Sequence, residues 1–238
     1  MRELNNARRD AQLFGAAIAE VSTLMDDVSE LDTLAGQASN LTREFGGLPV
    51  DQVKSFYSIY SAGAENAADA TAILSDANRL TIGGVTQLGT AVDGLTSVLN
   101  AYQMEGERAG EVSDAFFVAM RGGKTTVDEI ASSIGGVASI ASGAGVELDQ
   151  LLASVAAITK GGVGTSEAMN QVRQAIVSVV KPTQDAKNLA EELSLEFSVA
   201  ALQSKGLAGF LDEVREATGG SLEQMGRLFG SVEALNAV

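Results

Sequence analysis

Gly122-Gly123-Lys124-Thr125 carries the Gly-Lys-Thr ending of a phosphate-binding loop, the clearest hint of chemistry in this chain. Such a loop cradles phosphates on backbone N–H groups, at a strand-to-helix turn with a further glycine five residues before the last one. That position is Val118, and the residues before it read as helix, so the loop lacks its glycine and its scaffold. The segment reads instead as a junction in which Thr125 or Thr126 caps the next helix. Paired carboxylates are the second hint, since two acids at a suitable separation can cleave a glycosidic bond. Asp26-Asp27, Glu105 with Glu107, and Glu191-Glu192 qualify by type. Each is a pair of near neighbours on an amphipathic helix, where carboxylates ordinarily form a solvated face. The chain has no histidine and no cysteine, which removes imidazole ligands, His-based triads, thiolate metal sites and disulfides. The methionines Met104, Met120, Met169 and Met225, with Phe116-Phe117, sit at spacings of helical core. No catalytic residue, cofactor site or metal site is expected, and the chain does not read as an enzyme.

Composition points the same way. The formal net charge is −15, with 16 basic residues scattered through the chain. Phosphate neutralisation needs clustered Lys and Arg, so specific nucleic-acid binding is not expected. The N-terminal run is polar and unlike a signal peptide, and the weakly polar stretch Ser133 to Val146 is too short to span a bilayer. Apolar residues make up 45% of the chain but aromatics only 5%, so the apolar content is alanine and small aliphatics. Only two prolines interrupt it, which favours helices.

The elements that would position any site are helices. Glycine pairs fall at Gly46-Gly47, Gly83-Gly84, Gly122-Gly123 and Gly161-Gly162, at intervals of 37, 39 and 39 residues. Helix-start residues follow them, Thr126 and Thr165 among others, as glycine ends helices and hydroxyls begin them. Gly135-Gly136 falls off this beat, so the pairs are joints between helices, not a strict repeat. The spacing predicts helices over 50–62, 66–80, 86–103, 107–121, 126–142, 147–160, 165–180, 183–193, 207–217 and 221–237, with no strand. Before them runs a heptad pattern: Phe14, Val21, Val28, Ala35 and Thr42 in one series, Ala17, Leu24, Leu31, Ala38 and Phe45 in the other. Nine of these ten positions are apolar, consistent with a long helix lying along its own domain or with a self-association seam. The expected architecture is all-α: a long coiled-coil-like helix over 1–47, an array of helical hairpins over 48–195, and a helical continuation over 196–238. The last residues, from Phe229 to Val238, stop within an apolar helical pattern, which predicts a piece of a longer protein.

A collinear series of motifs adds an identity to this outline. Leu99-Asn100-Ala101-Tyr102 is followed by Ala115-Phe116-Phe117 and by Lys124-Thr125-Thr126-Val127-Asp128-Glu129-Ile130-Ala131. Gly145-Val146-Glu147-Leu148-Asp149-Gln150, Ala156-Ala157-Ile158-Thr159, Arg173-Gln174-Ala175-Ile176 and Lys181-Pro182-Thr183 continue it. From about Asp32 onward the chain resembles the conserved core of bacteriophage tail tape-measure proteins. The resemblance implies an extended helical rod in the lumen of the tail tube, which templates tube length and later leaves during genome ejection. It implies self-association, and tail-tube, tail-tip or baseplate and tail-assembly chaperone proteins as partners. The location implied is the host cytoplasm during assembly and then the virion tail. Two other classes fit parts of the pattern: a coiled-coil adaptor or signalling module, whose heptads would run throughout, and a peptidoglycan hydrolase fragment.

Overall fold

Alanine-rich segments bounded by glycine and hydroxyl residues fold into helices and, among the described residues, into no strand. The computed structural model describes residues 2–25 and 28–230, so the Asp26-Asp27 pair and the apolar ending over 231–238 lie outside it. The helices are α1 (Arg2–Ser22), α2 (Leu31–Phe45), α3 (Pro49–Ser61), α4 (Ala67–Gly84), α5 (Leu88–Ala101), α6 (Ala109–Gly122), α7 (Val127–Ser133), α8 (Gly135–Gly143), α9 (Leu148–Lys160), α10 (Thr165–Val180), α11 (Gln184–Glu192), α12 (Val199–Ala217) and α13 (Leu222–Phe229). Short 3-10 turns occupy Val28–Glu30 and Gly106–Arg108. The helices group into two compact units, Met1–Ser113 and Asp114–Val238, with the boundary inside α6.

In the first unit α3 is the central element, packed against α1, α2, α4 and α5. Its Val53, Phe56 and Ile59 are fully buried. One polar pair sits in this core: the Gln52 and Asn78 side-chain amides donate to each other at 2.8 and 2.9 Å, joining α3 to α4. Asn78 also donates to the Leu74 carbonyl, so the pair leaves little amide capacity unmet. In the second unit α10 is central, touching α7, α8, α9, α12 and α13. Its Met169, Val172, Ile176 and Val179 are buried, each contributing about 1.5–3 kcal/mol relative to exposure. Phe197 packs its ring on Phe210 and edge-on to Phe229, with centroids 5.6 and 5.5 Å apart.

The heptad-patterned segment is two helices rather than one. The hydroxyls of Ser22 and Thr23 donate back to the Ala19 and Glu20 carbonyls, both at 2.7 Å, and close the end of α1. Of its seam residues Ala17, Val21 and Ala38 are buried in the first unit, where Leu34 and Leu41 of α2, which lie off the seam, are buried with them. The helix expected over 126–142 is likewise two, parted near Ile134. There the Ser132 and Ser133 hydroxyls bond to the Asp128 and Glu129 carbonyls, and Gly135-Gly136 follows. A helical turn absent from the sequence reading begins at Val199, where Ser198 caps α12. This helix kinks at Gly206, whose φ of 70° ends one helical run and begins the next.

At Gly83-Gly84 the glycines complete α4, and the left-handed conformation falls on Val85, with φ 52° and ψ 51°. A β-branched residue is poorly suited to that region, and Val85 is 86% exposed, so packing returns nothing for the strain. Val85→Asn should therefore stabilise the chain by about 1 kcal/mol, read as a rise in the urea midpoint at unchanged slope. An unchanged or lower midpoint would mean the strain is relieved elsewhere.

Candidate functional site

The Gly122-to-Thr126 segment uses its own donors. Gly123 N–H donates to the Ala119 carbonyl at 2.9 Å and Lys124 N–H to Thr159 Oγ1 at 3.1 Å. Thr126 is the N-cap of α7: its hydroxyl accepts from Glu129 N–H at 3.1 Å, and the Glu129 carboxylate accepts from Thr126 N–H at 3.0 Å. Thr165 Oγ1, the first side chain of α10, lies 2.7 Å from Thr125 Oγ1 and 3.1 Å from the same Glu129 oxygen. The Gly123, Lys124 and Thr126 amides are thus already bonded, and the hydroxyls tie one helix start to another. The turn also presses directly on α9: a Cβ at Gly123 would fall 2.6 Å from Thr159 Oγ1 and 2.8 Å from Ala156 Cα.

The other chemical candidates do not converge. Glu105 and Glu107 are exposed on either side of Gly106, and Glu191 and Glu192 are exposed at the end of α11. Without histidine a serine nucleophile would need a lysine base, and although no Ser-x-x-Lys motif is expected, Ser178 and Lys181 do have that spacing. The structure commits the Ser178 hydroxyl to the Gln174 and Phe229 carbonyls, at 2.9 and 2.6 Å, which makes it a tie between α10 and α13. A second tie joins α13 to α11: the Arg227 guanidinium donates to both Asp185 oxygens, at 3.0 and 2.7 Å. The hydrogen bonds of this pair hold the Asp185 carboxyl below the ordinary carboxylate range and raise Arg227.

The remaining sequence candidates divide by location. Along the heptad seam Ala17, Val21 and Ala38 are buried, Phe14, Leu31, Ala35 and Phe45 are half-buried, and Leu24 and Val28 are exposed. Among the joints, Gly46 is the C-cap of α2 and Gly47 follows it, with φ 86° and 82°. Gly83 and Gly84 close α4, Gly122 closes α6, and Gly161 is the C-cap of α9, followed by Gly162 at φ 97°.

Two clefts flank the turn between α3 and α4 in the first unit. One, of about 430 Å³, is lined by Leu24, Met25, Glu30, Tyr60 and the turn residues Gly63 to Glu65. The other, of about 520 Å³, opens on the far side of the turn against α5 and the 3-10 turn. Its acidic lining is Glu65, Asp69, Glu105 and Glu107, and neither cleft has a lysine or arginine in its wall. Glu30 is held by accepting the Ala67 N–H at 2.8 Å, which caps α4 from another element. Tyr60 is 8% exposed. Burial, then the Glu30 and Asp69 carboxylates, push its phenol up to about 12.

The sequence model of phage-related minor tail proteins matches residues 35–230. The tape measure protein of Pneumococcus phage Dp-1 is 26% identical over 132 residues, which is 56% of this chain and 12% of that protein. This chain therefore corresponds to a small part of that relative's length. No solved structure matches the chain.

Two measurements probe the joint and the cleft. Gly123→Ala should cost about 2 kcal/mol or more, because helix backbone and a buried hydroxyl must move to admit the methyl group. Gly136→Ala, in α8 with nothing within 4 Å of the new atom, should instead stabilise by about 0.5–1 kcal/mol. Equal effects in urea unfolding would refute the close approach. At Tyr60, a folded-state pKa of about 12 against an ordinary 10.0 means the folded chain holds the proton more tightly. The stability this contributes is intact below about pH 10 and is lost as pH rises toward 12. Tyr60→Phe should show a smaller fall in unfolding free energy across that window, and an identical fall would assign it to other groups.

Proposed function

The chain belongs to the phage-related minor tail protein family, and from that premise we propose that it is part of a tape measure, the rod that templates tail-tube length. The observation that carries this is the family match over 35–230, with a phage tape measure protein as a relative. In this reading the protein is made in the host cytoplasm and the tube polymerises around it. It occupies the lumen and leaves it on genome ejection. Its partners are copies of itself, tail-tube and tail-tip or baseplate subunits, and a tail-assembly chaperone.

The physical character of the chain suits that role. A net charge of −15 lets nucleic acid pass without adhering. Alanine and glycine interfaces bury little apolar area per residue, so helices held by them separate more easily than leucine-rich ones. Among the seam residues, Leu24 and Val28 keep exposed apolar surface for contact between copies. Among the described residues no helix is long and apolar enough to cross a membrane.

Cross-linking in purified particles tests the assignment. Cross-links should join this segment to tail-tube subunits. An in-frame insertion of about 60 helical residues into the full-length protein should lengthen the tail by about 90 Å, at 1.5 Å per residue. Particles with tails of unchanged length and no such cross-links would sink the proposal.

A further inference from the structure

We propose that α12 is a two-state helix, bent at Gly206 and latched by the Gln150 side chain in this structure, and a single straight helix once that latch is released. Three observations within the second unit carry it. The first is the bend itself. Gly206 holds φ 70° and ψ 167°, a conformation open in practice to glycine alone, and it is the one residue between Val199 and Ala217 with non-helical angles. No proline stands in that span, so nothing else in the backbone enforces the bend. The second is the bond that replaces the one lost there. In a continuous helix the Leu207 N–H would donate to the Gln203 carbonyl; here it donates to Gln150 Oε1 of α9 at 3.0 Å. Straightening exchanges one amide carbonyl acceptor for another, which keeps the two forms close in free energy. The Gln150 amide also lies over the bend, its Nε2 2.9 Å from where a Cβ on Gly206 would stand. The third is space. A cleft of about 510 Å³ opens at the bend, walled by Ala153, Ala157 and Ile158 of α9 and by Leu207, Ala208 and Leu211 of α12, so the arm after Gly206 has room to swing.

What the bend achieves follows from the helical period. Ala201 and Leu202 before it, and Leu207, Phe210, Leu211 and Val214 after it, are all buried. On one straight helix of 3.6 residues per turn the first set would stand about 180° from the second. Bent, α12 turns both sets into the packed interior. Straight, it carries apolar faces on opposite sides and leaves Ala201 and Leu202 for a neighbouring helix to cover. A helix that covers them binds only the straight form, so it draws the equilibrium toward that form. The Lys205 ammonium, paired with the Glu213 carboxylate across Gly206, adds to the hold on the bent form. This equilibrium belongs to the chain itself and does not depend on the tail assignment.

Double electron–electron resonance on the 238-residue chain tests it. The chain has no cysteine, so Ala200→Cys and Arg215→Cys, both at exposed positions of α12, provide a single pair of nitroxide sites. In a straight helix their Cα atoms would stand about 22 Å apart, and the bend brings them closer. The doubly labelled parent should give one short separation. Gly206→Ala, which disfavours the bend, should move the main separation out to that of the straight helix. Gln150→Ala should populate the same longer separation beside the short one. The short separation alone in both variants would overturn the proposal. So would a broad spread of separations with a loss of helical circular dichroism, since Gln150 would then hold α12 against melting and not against straightening.

Discussion

Every α-helix begins with four N–H groups and ends with four C=O groups that lack partners within it, and this fold has many such ends. Thirteen helices among the described residues make closure of the ends the constraint on which the rest depends. Five N-caps are local: Asn66, Thr126, Thr183, Ser198 and Ser221 each accept from a backbone N–H three residues on. Others come from distant elements. Glu30 closes the start of α4, and Gln150 accepts the Leu207 N–H at 3.0 Å where α12 resumes after its kink. Thr159 takes the Lys124 N–H, so α9 closes the turn before α7. Caps supplied across elements do two tasks at once: they satisfy the backbone and fix where one helix sits on another.

Small side chains set the second condition. With 26 glycines and few aromatics, helices approach closely and the core gains its area from many modest contacts. Gly106 and Gly123 show the limit: a Cβ there would fall 2.8 Å from Asp69 Cβ and 2.6 Å from Thr159 Oγ1. Where large side chains do gather, as at Phe197, Phe210 and Phe229, they join α12, α13 and the strap before α12 within the second unit. The polar exceptions in the interior, such as Gln52 with Asn78, are paired, and a buried amide pair tolerates only one register between its helices. Among the described residues the Tyr60 hydroxyl and the Gln171 side-chain carbonyl depart from this rule.

Much of this was legible in the residues. Thr126, three positions before Glu129, carries its capping box in the local sequence, because both bonds close within one turn. The all-α class followed from glycine spacing, scarce proline and helical apolar period. The division near Ile134 and the break after Ser22 were not legible, since hydroxyls that bond back to carbonyls compete with the helix by small margins. The two clefts beside the α3–α4 turn were invisible for a different reason: Glu30, Tyr60, Glu65 and Asp69 carry no motif, and only the packing of the helices of the first unit places them around that turn.

The sequence by itself determined the helical class, the absence of histidine and cysteine chemistry, the acidic balance and the local caps. These depend on residue type and on bonds that close within a few positions. The tertiary structure alone decided which heptad residues are buried inside the chain and which helices became the centre of each unit. It also decided that a phosphate-loop-like segment is a joint sealed by Thr159 and Thr165, and that the Tyr60 hydroxyl is buried without a partner among the described residues. Those outcomes depend on contacts between different helices, such as Lys124 with Thr159 at a separation of 35, which no local pattern encodes.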